Sequence, residues 1–183
     1  MMSQSKIHRM ANIAGLILIC AALVIVFVDQ LVARDLPCPL CLLQRACLIA
    51  VGIMLCMNLT VGIKTAHYGF LILAACGGIA ISLRQIFLHL APTDPGYGGL
   101  LLGLYFYDWA AISFIIILCT AAIALLLEKG FNQVVPTTNR WIQALMVFFL
   151  ILILANILST LLECGLGVCP ADPIDYRLLD SVG

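Results

Sequence analysis

A chain of 183 residues that is 64% hydrophobic and 10% charged cannot fold as a soluble domain, because average usage is roughly 45–50% apolar and about 25% charged. Its solvent is lipid. Nine basic side chains balance nine acidic ones, so neither a nucleic-acid-binding surface nor a polybasic face is suggested.

Five hydrophobic stretches cover residues 10–31, 42–60, 68–90, 106–127 and 141–162, each near the roughly 20 residues that a bilayer core demands. Lipid cannot satisfy open backbone groups, so each stretch is expected to be a helix. The connections are short, which makes residues 1–183 a single all-α domain, a bundle of five transmembrane helices with a tail over 163–183. The first stretch has a basic start in Lys6, His8 and Arg9, but no small-residue cleavage pattern precedes Pro37. Its apolar run is also too long for a typical signal-peptide core, so it is read as an uncleaved span.

Between the first and second spans lies Pro37-Cys38-Pro39-Leu40-Cys41-Leu42-Leu43-Gln44-Arg45. Pro37 and Pro39 keep the approach extended and place Cys41 near the first helical turn. Helix N-terminal amides and nearby cations favour the thiolate, which is the reactive form of cysteine. Cys41, Gln44 and Arg45 stand at i, i+3 and i+4, so they share one face and Arg45 points over the patch of the Cys41 sulfur. An arginine at a span end can simply snorkel to the interface. An ionisable residue inside a span is also a functional candidate by default, here for stabilising a bound anion or polar acceptor. Three uses of the C-x-x-C remain open: thiol–disulfide exchange, a static disulfide, or half of a zinc site completed by Cys164 and Cys169. No histidine stands at ligand spacing near either pair, and exchange is the preferred reading, with no metal.

The fifth span closes on Glu163-Cys164-Gly165-Leu166-Gly167-Val168-Cys169-Pro170. Cysteines five apart in a helix face different ways, so a direct bond requires a bent loop. Gly165 and Gly167 permit one, and Pro170 stops the helix. Two thiols on a short hairpin suit the presentation of a disulfide to another protein; the plainer reading is a static clip. In the acidic tail beyond, Ile174, Tyr176, Leu178 and Leu179 are candidates for contact with the membrane surface. The other five cysteines, Cys20, Cys47, Cys56, Cys76 and Cys119, lie in apolar runs and read as small buried hydrophobes.

Orientation follows from the basic residues. Lys6 and Arg9 precede span one, Lys64 lies between spans two and three, and Lys129 and Arg140 flank the connection from four to five. These alternate connections share a side, which should be the cytoplasm. The acidic residues Asp35, Asp94, Asp108, Glu163, Asp172, Asp175 and Asp180 fall on the other side, although they carry little topological weight. The N-terminus is then cytoplasmic and the C-terminus external. One crossing precedes the first cysteine pair and five precede the second. Both counts are odd, so both pairs face the oxidising side, where disulfides persist.

The string from Pro37 to Arg45, directly after span one, resembles the DsbB family of bacterial inner-membrane proteins that make disulfides and pass electrons to quinone. The resemblance extends more weakly through the first four spans, with Arg84, Gln85 and the segment from Tyr105 to Trp109 also similar to the family. It implies a protein-dithiol:quinone oxidoreductase that takes electrons from a soluble periplasmic thiol oxidase of the DsbA type, with a thioredoxin fold. A DsbA–DsbB–quinone route is what keeps the bacterial periplasm oxidising. By analogy, Cys41 engages ubiquinone or menaquinone, Arg45 stabilises the charged adduct, Gln44 shares that face, and Cys38 exchanges with the second pair. His89, near the outer end of span three, is a further candidate for the quinone pocket.

One departure matters. Well-known members have four spans and carry the second pair in the loop between spans three and four. Here that loop, residues 91–105, has no cysteine and carries Thr93-Asp94-Pro95-Gly96-Tyr97-Gly98-Gly99 instead. The candidate replacement is Cys164 and Cys169, delivered by a fifth span that should pack near the mouth between spans one and two. Two other classes compete. A relative of the vitamin K epoxide reductases would carry its C-x-x-C near a late span. A scaffold or transporter with disulfide clips would want paired polar residues or broken helices at mid-membrane, and the span interiors show little of either.

Overall fold

In the computed structural model, the described residues form five helices long and apolar enough to cross a membrane. They are α1 (Gln4–Val32), α2 (Pro39–Thr60), α3 (Thr65–Leu88), α4 (Phe106–Leu126) and α5 (Arg140–Cys164), followed by a short α6 (Arg177–Asp180). The structure describes residues 4–32, 35–91, 93, 96–127, 139–165, 167–171, 173 and 175–180. Of the positions given weight above, Asp94, Pro95, Lys129, Leu166, Asp172 and Ile174 lie outside the described residues, as do the side chains of Leu179 and Asp180.

Helix boundaries differ from the apolar stretches where backbone and side-chain chemistry part company. The first helix begins at Gln4, not residue 10, because its polar opening turns are helical though not apolar. The second begins at Pro39, not residue 42, since Cys38 is its N-cap and proline needs no donor at the first helical position. The third runs from Thr65 to Leu88, where 68–90 was expected.

Helix α2 packs between α1 and α3, α4 packs on α3, and α5 packs on α1 and α2. Two glycines set the closest approaches. The Phe149 ring of α5 lies over Gly52 of α2, and the Phe114 ring of α4 lies over Gly78 of α3, each where a Cβ would stand. Small residues at helix contacts are how membrane bundles gain packing without a hydrophobic drive between helices. Leu18, Phe70, Phe87, Trp141 and Leu158 point outward, as a lipid-facing surface requires.

A group of polar contacts gathers near the helix ends remote from the C-x-x-C. At the opposite end of α1 from the C-x-x-C, Asn12 donates to the His8 carbonyl at 2.7 Å and to the Tyr68 hydroxyl at 3.2 Å. Asn58 donates to Asn12 Oδ1 at 2.8 Å, and His67 Nδ1 lies 2.8 Å from Asn58 Oδ1. One or two polar residues per helix barely change a hydropathy profile, yet the bundle brings these together as a buried tie among α1, α2 and α3.

The connection from α3 to α4 contains a hairpin that the sequence did not announce. Strand β1 (Leu100–Leu101) pairs antiparallel with β2 (Leu104–Tyr105). Leu102 (φ 53°) and Gly103 (φ 83°) are both left-handed, as a two-residue type I′ turn requires. Leucine is an unusual choice at that conformation, which explains why the turn was hidden. Asp108 accepts the Tyr105 N–H at 3.1 Å and so caps α4. Tyr97 donates its hydroxyl to the Leu36 carbonyl at 2.7 Å, fastening this connection beside the C-x-x-C.

Candidate active site

The start of α2 places the first cysteine pair. As N-cap, Cys38 is extended (φ −65°, ψ 162°), and its sulfur accepts the Cys41 N–H at 3.2 Å. Pro39 supplies no donor to compete for that sulfur. The two side chains therefore turn to the same side, with Sγ atoms 2.7 Å apart and unbonded. The hydrogen bond shared with Cys41, then burial, raises the Cys38 thiol pKa above its ordinary value.

Gln85 of α3, almost fully buried, completes this group. Its Nε2 lies 3.3 Å from Cys38 Sγ and 3.3 Å from Cys41 Sγ. Its Oε1 accepts from Gln44 Nε2 at 2.9 Å and lies 3.8 Å from Cys41 Sγ. One amide thus serves both sulfurs and is held in place by Gln44.

The buried Arg45 guanidinium has neutral hydrogen-bond partners, both on α1: Gln30 Oε1 at 2.7 Å and the Val26 carbonyl at 3.3 Å. Gln30 in turn donates to Ser159 of α5 at 2.7 Å and to the Tyr176 hydroxyl in the tail at 3.2 Å. The tail residue Tyr176 therefore turns inward onto the bundle, where contact with a membrane surface was expected. Arg177 Nη1 donates to the Val168 carbonyl at 2.9 Å, drawing the tail back on itself.

A cleft opens beside this group. Cys41, Gln44 and Arg45 line it from one helix face, together with Val26 and Asp29 of α1, Leu36 and Pro37, Tyr97 and Gly98, and Phe106, Tyr107 and Ala110 of α4. His89 is outside this lining. Its ring stacks on Tyr107 at a centroid distance of 5.7 Å, and Tyr105 stacks on Tyr107 at 5.2 Å. His89 thus stands behind the aromatic wall.

The second pair closes α5. Cys164 is the last helical residue, Gly165 (φ 65°) ends the helix in the left-handed region, and Cys164 and Cys169 form a disulfide. Because Ser159 and Tyr176 both meet Gln30, which meets Arg45, both cysteine pairs lie at the same end of the bundle. Among the remaining cysteines Cys20 is buried and Cys47 and Cys56 are half-buried, but Cys76 and Cys119 are exposed. Those two face outward on α3 and α4, which corrects the expectation that all five are core residues; an apolar run does not reveal which face meets lipid.

Four residues of this region were not singled out as site residues from the sequence: Gln30, Asp29, Gln85 and Glu163. Glu163 is fully buried, and neither carboxylate oxygen has a hydrogen-bond partner among the described residues. Arg45 and Cys41 are both within its electrostatic reach. A signal did exist, since Asn156, Ser159 and Glu163 recur at helical spacing along an otherwise apolar segment, and all three are buried.

Residues 8–97 match the family described as Disulfide bond formation protein DsbB. The match covers α1, the C-x-x-C, α2, α3 and the following connection as far as Tyr97, and it ends before the fourth helix, to which the weaker resemblance had been extended. No solved structure matches the chain.

Proposed function

Through residues 8–97 this chain is a DsbB-like disulfide bond formation protein, and from that premise we propose that it is a protein-dithiol:quinone oxidoreductase. It oxidises a DsbA-type thiol oxidase and passes the electrons through Cys164/Cys169 and then Cys38/Cys41 to a membrane quinone. The observation that carries this reading is the cleft in which Cys41, Gln44 and Arg45 face apolar and aromatic walls. The tail disulfide lies at the same end of the bundle.

The residues present suit a quinone. Leu36, Phe106 and Tyr107 offer flat apolar contact, while Gln44 and Arg45 offer donors for ring oxygens. The enclosed part of the cleft is about 80 Å³, against about 150 Å³ for an apolar cavity that accepts benzene. The cleft is also partly open, so it would not have to enclose a quinone ring whole. When bound, the quinone supplies a two-electron, two-proton acceptor.

The chain's own residues account for the remaining steps. A reduced partner dithiol attacks the Cys164–Cys169 disulfide through its thiolate, leaving the partner oxidised and the tail pair as two thiols. The tail dithiol then attacks a Cys38–Cys41 disulfide at Cys38, restoring the tail disulfide and leaving Cys38 and Cys41 reduced. Loss of two electrons and two protons from Cys38 and Cys41 then closes their disulfide. Gln85 donates to either sulfur during the change, and the Arg45 cation favours negative charge at Cys41.

The Lys/Arg distribution supports a bacterial inner-membrane protein with this end on the periplasmic side. The test is consumption of ubiquinone and menaquinone analogues by the purified protein with a reduced DsbA-type oxidase. Cys38→Ala or Cys41→Ala should abolish consumption. Cys164→Ala should block turnover with the protein partner while chemically reduced Cys38/Cys41 still reacts with quinone. Full-rate consumption by Cys41→Ala would overturn the reading.

A further inference from the structure

We propose that Glu163 is a proton-holding and positioning residue for Cys41: with Arg45 they share one negative charge, so that ionisation of the Cys41 thiol places a proton on the Glu163 carboxyl. The proposal rests on the redox reading of Cys38 and Cys41 and adds to it a residue from α5, outside the part of the chain that matches the family.

Three observations converge on Glu163. It is fully buried with both oxygens lacking hydrogen-bond partners among the described residues, a costly setting for an ionised carboxylate without a nearby cation. It also sits in the last turn of α5, where the partial negative end of the helix disfavours a further anion. Yet α5 directs it inward, one turn beyond Ser159, whose hydroxyl joins Gln30 and through it Arg45. Apolar packing would be served better by leucine, so the carboxyl at this point calls for another account.

Charge supplies that account. Arg45 is the buried cation of the group, with Cys41 and Glu163 in its field; Asp29 of α1 and Tyr176 of the tail are the other ionisable groups facing it. Asp29 is half-buried on the cleft wall, whereas Glu163 is sealed from solvent. In such surroundings one cation supports one anion well and two anions poorly, so the two acids titrate as a coupled pair. The step is Cys41–SH plus Glu163–COO⁻ giving Cys41–S⁻ plus Glu163–COOH. One S–H bond breaks, one O–H bond forms, and no electrons move. When Cys38 and Cys41 later close their disulfide, Glu163 releases that proton and returns to carboxylate. The coupling acts through the shared field and needs no direct bond between the two groups.

The experiment follows iodoacetamide modification of Cys41 against pH, resolved by peptide mass spectrometry, in the full-length reduced protein without quinone or partner. Glu163→Gln removes the competing anion, so the modification midpoint should move to lower pH by about one unit, or about tenfold faster reaction on the acid side. Glu163→Asp should retain the wild-type profile. Infrared spectra with isotope-labelled glutamate provide an independent readout should Glu163→Gln fail to fold. At a pH where the pair carries one negative charge, a protonated carboxyl signal should be present in the wild-type protein and weaker in Cys41→Ala, where Glu163 keeps the charge. An unmoved or upward-moved midpoint in Glu163→Gln, or a carboxyl signal indifferent to Cys41→Ala, overturns the proposal. Neither readout uses quinone, so such a result leaves the electron relay standing, while failure of the quinone assay identifies an error in the relay itself.

Discussion

Gln85 presents one side-chain amide to two sulfurs, with Nε2 3.3 Å from Cys41 Sγ and equally far from Cys38 Sγ. The same residue receives the Gln44 amide at 2.9 Å, so α3 fixes the geometry of a motif carried on α2. Replacing Gln85 by Leu keeps the volume and removes the donor. A hydrogen bond to a charged group is worth about 1.5–3 kcal/mol, so Gln85→Leu should slow Cys41 alkylation at neutral pH by roughly tenfold or more. Alkylation kinetics followed by mass spectrometry check this; a rate equal to wild type would remove Gln85 from the site.

Cys38 and Cys41 should respond differently to pH. The Cys38 thiol is raised above its ordinary value by its hydrogen bond with Cys41 and by burial. A raised thiol stays protonated through neutrality, and its thiolate appears only as pH climbs past the usual range near about 8.5. Iodoacetamide at pH 7 should therefore label Cys41 first, with Cys38 slower by at least about tenfold. Cys38 labelling should rise only in alkaline buffer. Equal labelling of the two at pH 7 would contradict the geometry.

What could be read from the sequence follows the range of the interactions. Spans were legible because hydropathy is local, and Cys41, Gln44 and Arg45 were legible because three- and four-residue spacing fixes a common helix face. Gln30, Gln85 and Glu163 were not recognised as site residues, since the meaning of each depends on a neighbour from another helix. Arg84 and Gln85 illustrate the difficulty. Both were noted as similar to the family, yet Arg84 faces outward and Gln85 is the one that reaches the sulfurs. The I′ hairpin stayed hidden because a leucine occupies one of its left-handed positions.

Arg45 ties the cleft to the tail through Gln30, so its removal should have two consequences. Arg45→Met leaves Gln30 Oε1 without its donor, at about 1–3 kcal/mol for an unsatisfied buried group, while the Val26 carbonyl keeps its helical partner. It also removes the cation that stands one turn from Cys41 on the same helix face. The expected result is a raised KM for quinone together with faster proteolysis of the tail. Unchanged quinone KM with a stable tail would show that Arg45 serves neither purpose.

Gly52 tests whether α5 is held where the tail disulfide needs it. The Phe149 ring occupies the place of a Cβ at Gly52, so Gly52→Ala forces that ring to move and, where the ring cannot, shifts α5 from α2. Overpacking of this kind costs about 1–3 kcal/mol, and the displaced helix carries Ser159, Glu163 and Cys164 with it. Gly52→Ala should lower the Tm and slow turnover with the protein partner, while chemically reduced Cys38 and Cys41 still react with quinone. Adding Phe149→Leu opens space for the new methyl group and should recover much of the partner-dependent rate. Equal losses from Gly52→Ala in both assays, without rescue by Phe149→Leu, would mean that the fifth helix does not position the relay.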